Sequence, residues 1–131
     1  MLKRIALVVL LAVPMLPEPW GGKTFTVAAG TAARIVSPVK TLATQLTVQM
    51  DVSATGIGYL LYAPPSVTCS NGGAGTTLVT KIIPGSGSNP GVPVTIPLPA
   101  SPSNPKIDIQ NYCLDGSHTG DGIIVSWNLS N

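Results

Sequence analysis

The stretch "ATQLTVQMDV", residues 43–52, sets the strongest limit on what this chain can fold into. Leu46, Val48, Met50 and Val52 fall on one side of an extended backbone, with Thr47, Gln49 and Asp51 on the other. A period of two is the mark of a half-buried β-strand, because successive side chains point to opposite faces. One such strand has an apolar face that it cannot bury alone, so a second layer of similar elements must cover it.

The rest of the sequence supplies that layer. "KTFTVAA", "ARIVSP", "IGYLLYA", "TTLVTKIIP", "VPVTIPLP", "KIDIQNY" and "GIIVSWNL" all read as short β-rich runs separated by turns. "SNGGAG" and "PGSGSNPG" bring glycine and asparagine where positive φ is needed. Proline in "VPVTIPLP" removes ladder donors, which places that run at a sheet edge. Glutamate occurs once, at Glu18, and only 9% of residues are charged, so long surface helices have little to be built from. No helix is expected after the N-terminal run. The expected fold is all-β: an antiparallel β-sandwich or jelly roll of seven to eight short strands, preceded by a hydrophobic N-terminal segment.

That segment, residues 1–22, begins with Lys3 and Arg4 and is apolar from Ile5 to Leu16. It has the basic and apolar regions of an export signal but a poor cleavage site, and it is shorter than the roughly 20 residues of a membrane-spanning helix. An export signal, an anchor and an arm packed on a neighbouring subunit all stay open. Membrane contact is expected only through this segment if it is kept. The folded domain is expected over 23–131, a length that suits one modest core.

A formal charge of +2, with basic residues scattered along the sequence, does not make the basic patch that phosphates require, and no nucleic-acid partner is expected. Cys69 and Cys113 are the two cysteines. Their pairing, expected as a bridge between two sheets, would add about 4 kcal/mol in the chain-entropy model. It requires an oxidising compartment, and two free thiols in a cytoplasmic protein are the alternative. With one histidine in the sequence, they do not make a structural zinc site.

"YCLDGSHTGDG", residues 112–122, concentrates the remaining chemistry. Asp115, Ser117, Thr119 and Asp121 space oxygens at alternate positions, as calcium loops do, but no distal glutamate follows. Ser117, His118 and Asp121 are the right types for nucleophilic catalysis, yet neighbours in one loop do not reach triad geometry. A carboxylate pair would draw on Asp51, Asp108, Asp115 and Asp121, all of which read as strand or turn residues. The favoured reading is a polar hairpin loop joining the last two strands. No catalytic residue, metal site or cofactor is assigned, and an enzyme is not expected. Tyr59 and Tyr62 should face opposite ways, and Trp127 should lie in the core, so no flat sugar-binding platform is expected.

"TFTVAAGTAARIV", "LTVQMD", "GYLLYAP", "TTLVTKIIPG", "VPVTIPLP" and "IIVSWNL" together resemble small bacteriophage virion proteins of the capsid-decoration or head-fibre type, over roughly Lys23 to Leu129. The resemblance implies a β-sandwich that acts by packing on capsid or like subunits, as a homo-oligomer, and that resides in the virion. The N-terminal run and the cysteines depart from it. They suit an exported bacterial surface sandwich instead: an adhesin, a pilus-like subunit or a carbohydrate-binding module, located in the periplasm, at the cell surface or outside the cell.

Overall fold

A computed structural model describes residues 20–36, 40–96 and 106–129. It is an antiparallel β-sandwich. The strands are β1 (Trp20–Thr26), β2 (Ala33–Arg34), β3 (Leu42–Met50), β4 (Gly58–Tyr62), β5 (Thr77–Ile82), β6 (Val94–Ile96), β7 (Ile107–Asp108), β8 (Tyr112–Gly116) and β9 (Gly122–Leu129). The first sheet has the order β1-β9-β3-β6, with β7 also paired to β3; the second has the order β2-β8-β4-β5. The apolar run 5–16 and Leu98 lie outside the described residues.

The alternation in the sequence becomes the register of the first sheet. β3 and β9 pair Leu46 with Trp127, Val48 with Val125 and Met50 with Ile123. All of these except Trp127 are fully buried. They face Leu60, Ile82 and Leu114 of the second sheet, and Ile109 joins the same core. A bulge between Ala43 and Gln45 puts Ala43 inside as well. Val52 lies beyond the end of β3 and is 47% exposed, so the alternation stops two residues earlier than the sequence pattern suggests. Asp51 ends the strand by turning its carboxylate to the Val52 N–H at 2.6 Å.

Among the described residues β6 pairs only with β3 and lies at the sheet edge, the position expected for the proline-rich run "VPVTIPLP" that contains it. β1 reaches Trp20, three residues into the segment grouped as 1–22, and pairs with β9 without a register shift. There Gly21 faces Trp127, and a Cβ on Gly21 would fall 2.1 Å from the indole Nε1. The indole covers the bare glycine backbone and packs on the rim of the core, half-buried rather than enclosed.

"KIDIQNY" departs from expectation. It is not one strand. The Asp108 side chain accepts from the Gln110 N–H at 3.1 Å and the Thr41 N–H at 3.3 Å, starting a 3-10 turn over Ile109–Asn111. An aspartate offering its own acceptor competes with the ladder and breaks the strand. β7 therefore ends in the first sheet and β8 begins in the second. This division makes nine strands among the described residues, where the sequence suggests seven to eight. "YCLDG" is strand rather than loop, and the connection 117–121 crosses from one sheet to the other. The expected hairpin between the last two strands is an arch between layers.

Candidate functional site

The arch 117–121 closes one end of the sandwich, where it meets the turn after β1 and the 51–57 connection after β3. Its polar groups are bonded mainly to backbone. Asp121 is only 7% exposed, and its carboxylate accepts from the Thr55 N–H at 3.2 Å and the Gly56 N–H at 2.6 Å. Ser117 Oγ accepts from the Ile57 N–H at 2.9 Å, and Thr119 Oγ1 accepts from the Ala29 N–H at 3.0 Å. Gly120, at φ +97, takes a conformation open to glycine and donates to the Val27 carbonyl at 2.9 Å. Gly56 leaves room for the whole arrangement: a Cβ there would lie 2.6 Å from Ser117 Oγ and 2.9 Å from Asp121 Oδ2.

Asp115 lies in β8 and is 2% exposed. Its Oδ1 accepts from the Gly30 N–H at 3.1 Å and the Gly116 N–H at 2.8 Å, tying the Ala28–Thr31 turn to the second sheet. A buried carboxylate persists where backbone donors replace its water. The four side chains that resemble a calcium loop thus divide between two backbone turns, Asp115 and Thr119 on residues 29–30 and Ser117 and Asp121 on residues 55–57, rather than converging on one point. Among the described residues, no group of three or more His, Cys, Asp or Glu side chains is arranged to hold a metal ion.

Ser117, His118 and Asp121 do not form a relay. The His118 Nδ1 meets Thr55 Oγ1 at 2.6 Å, and Ser117 Oγ is engaged by Ile57. The nearest backbone donors to Thr55, its own N–H and that of Gly56, are both held by Asp121. Thr55 lies 63 residues from His118 in an unremarkable "SATGIG" turn, and no local sequence pattern marks the contact. Of the four aspartates, Asp51 and Asp108 stop strands, while Asp115 and Asp121 anchor turns.

The outer face of the second sheet carries a second structured region. Cys69 and Cys113 form a disulfide with a Cα–Cα distance of 6.2 Å. It does not join the two sheets. Cys69 lies in the 63–76 connection between β4 and β5, and Cys113 is a fully buried residue of β8, so the bond fastens that connection over its own sheet. Leu61, Ala63 and Cys113 form a small core beneath it, with Tyr59, Val67 and Cys69 packed against it. Tyr59 thus faces outward into this second core. Tyr62 faces the other way and meets Tyr112 edge-on, with ring centroids 5.6 Å apart.

Arg34 holds the same connection from the side. Its Nη1 donates to Ala63 O and Gln110 O, each at 2.8 Å; its Nη2 donates to Pro64 O at 2.7 Å and to Val67 O. One guanidinium thereby satisfies carbonyls from two connections. The sequence shows Arg34 only as one scattered basic residue, because backbone acceptors leave no side-chain signature.

No protein-family model, curated protein or solved structure matches this protein.

Proposed function

We propose that this protein is a structural, non-catalytic β-sandwich that acts by protein packing, of the kind found in bacteriophage capsid decoration or head fibres. The observation that carries the reading is a contrast between two parts of the surface. The polar side chains of the 115–121 region are bonded to the protein's own turns, whereas large apolar side chains stand in solvent. Leu78 and Val79 on β5, Ile83 after it, and Val52 and Val92 are 46%, 41%, 54%, 47% and 74% exposed. The backbone beside Val92 lies against that of Ile83, since a Cβ on Gly91 would fall 2.2 Å from Ile83 O. Exposed apolar groups of this kind favour association with protein, as like subunits or a capsid lattice. The test is quantitative mass spectrometry of purified virions from the source culture. A fixed copy ratio to the major capsid protein supports the reading; absence from particles overturns it.

A second reading, an exported bacterial surface module, is favoured by one observation, the Cys69–Cys113 disulfide. Such bonds persist in oxidising compartments. Intact mass from the native source without reductant separates the two. A bonded protein lacking the apolar N-terminal run supports export; one that keeps the run and has free thiols supports cytoplasmic assembly.

A further inference from the structure

We propose that Asn71 is a site of spontaneous backbone rearrangement, a chemical clock on the disulfide-fastened connection. The sequence has one Asn-Gly pair, Asn71-Gly72. The other asparagines precede Pro90, Pro105, Tyr112 or Leu129, or stand last in the sequence. A proline has no amide hydrogen to lose, and a side chain on the following residue crowds the approach that glycine leaves open.

The local geometry supports reaction at this pair. Asn71 and Gly72 are both exposed. They are the central residues of a turn closed by a bond from the Gly73 N–H to Ser70 O at 3.0 Å. Gly72 has φ +77, the value a type II turn requires at its third position. No hydrogen bond holds the Gly72 amide among the described residues. Type I and type II turns differ chiefly in the orientation of the central peptide, and glycine at the third position accepts both. The Asn71–Gly72 peptide can therefore rotate while the closing bond stays in place. Attack needs further rotation about the Asn71 Cα–C bond, to the point where the Gly72 nitrogen eclipses Cβ and reaches Cγ, the carbonyl carbon of the Asn71 amide.

The chemistry is closed in water. The Gly72 nitrogen loses its proton to solvent base and bonds to Asn71 Cγ. The bond from Cγ to Nδ2 breaks and ammonia leaves, giving a five-membered succinimide. Water then adds to one of the two ring carbonyls and opens the ring. The products are aspartate or isoaspartate at position 71, and no electrons change hands. Either product adds one negative charge two residues from Cys69, lowering the formal charge of +2 by one unit. Isoaspartate also lengthens the backbone by one carbon within the cover over Leu61 and Cys113.

The test holds the full-length protein, disulfide intact, in mildly alkaline buffer and follows it by ion exchange and peptide mapping. The expected result is a progressive shift by one charge. The peptide spanning Asn71 should gain the mass of a hydroxyl less that of an amino group, and isoaspartyl methyltransferase should label the same peptide. N71Q should show neither change. The proposal is overturned if the folded protein stays unmodified while the reduced, unfolded form reacts under the same conditions, because the turn then shields the pair. It is equally overturned if the charge shift persists in N71Q.

Discussion

Arg34 Nη1 donates to the carbonyl oxygen of Gln110 at 2.8 Å, across 76 residues of sequence. The same guanidinium also binds Ala63, Pro64 and Val67 carbonyls, so one side chain fixes where the β4–β5 connection leaves its sheet. Truncation would leave several acceptors without a donor, and hydrogen bonds from a charged group are each worth more than neutral ones. Arg34→Met should lower the unfolding free energy by about 2–4 kcal/mol. Arg34→Lys should recover less than half, because an ammonium lacks the planar fork that reaches several carbonyls at once. Urea titration of the three proteins measures both effects.

The disulfide should act locally as well as globally. Its sequence separation is 44, and closing a loop of that size is worth about 4 kcal/mol in the chain-entropy model. A double Cys69→Ser, Cys113→Ser variant should lose about that much, less any strain released. Native-state hydrogen exchange should show where: protection should fall over the 63–76 connection and β8, with β3 and β9 least affected. Uniform loss across both sheets would mean that the bond stabilises only through the unfolded state.

Much of this fold was legible in period-two patterning, and what escaped it shares a physical cause. β3 and β9 could be read because one face of each meets a core and the other does not: Leu46 and Val48 alternate with Thr47 and Gln49, and buried Ile123 and Val125 alternate with exposed Ile124 and partly exposed Ser126. The break at Asp108 could not be read that way. Its side chain outcompetes a ladder bond by accepting from Gln110 two residues on, a choice that "KIDIQNY" does not reveal. The pairing of the two cysteines was legible by count, but not which layer they fasten. Thr55 with His118, and Arg34 with its carbonyls, are long-range contacts whose partners carry no local signature. The buried role of Asp115 was missed for the opposite reason: Asp-Gly reads as a turn, and here it closes a strand.

Gly56 tests whether the arch is a tightly fitted closure. Gly56→Ala would push a methyl carbon to 2.6 Å from Ser117 Oγ and 2.7 Å from His118 Cβ, below contact distance for both. The arch must shift, and the short bond from the Gly56 N–H to Asp121 must lengthen. A loss of about 1–3 kcal/mol is expected from overpacking of this kind. Asp121→Ala, which leaves the Thr55 and Gly56 donors unpaired, should cost a similar amount, and the pair should not be additive because both disturb one contact. Thermal unfolding of the single and double variants gives the coupling directly.

Tyr112 makes the stability depend on alkaline pH. Burial first, and the neighbouring Tyr62 second, raise its pKa above the ordinary 10.0. The folded protein therefore holds the phenolic proton more tightly than the unfolded state does. Below pH 10.0 both states keep the proton and the contribution of Tyr112 to stability is fully present. As the pH rises past that value, the unfolded state releases its proton first, so stability declines, and it goes on declining until the folded state also ionises. Tyr112→Phe cannot ionise, and its alkaline slope should be shallower than that of the wild type, although it gives up the hydroxyl. Tyr62→Phe should retain most of the wild-type slope, since burial is the larger cause. Denaturant titrations at a series of alkaline pH values, with the disulfide verified intact at each, separate the three proteins. Equal slopes for wild type and Tyr112→Phe would mean that the Tyr112 phenol does not sense the fold.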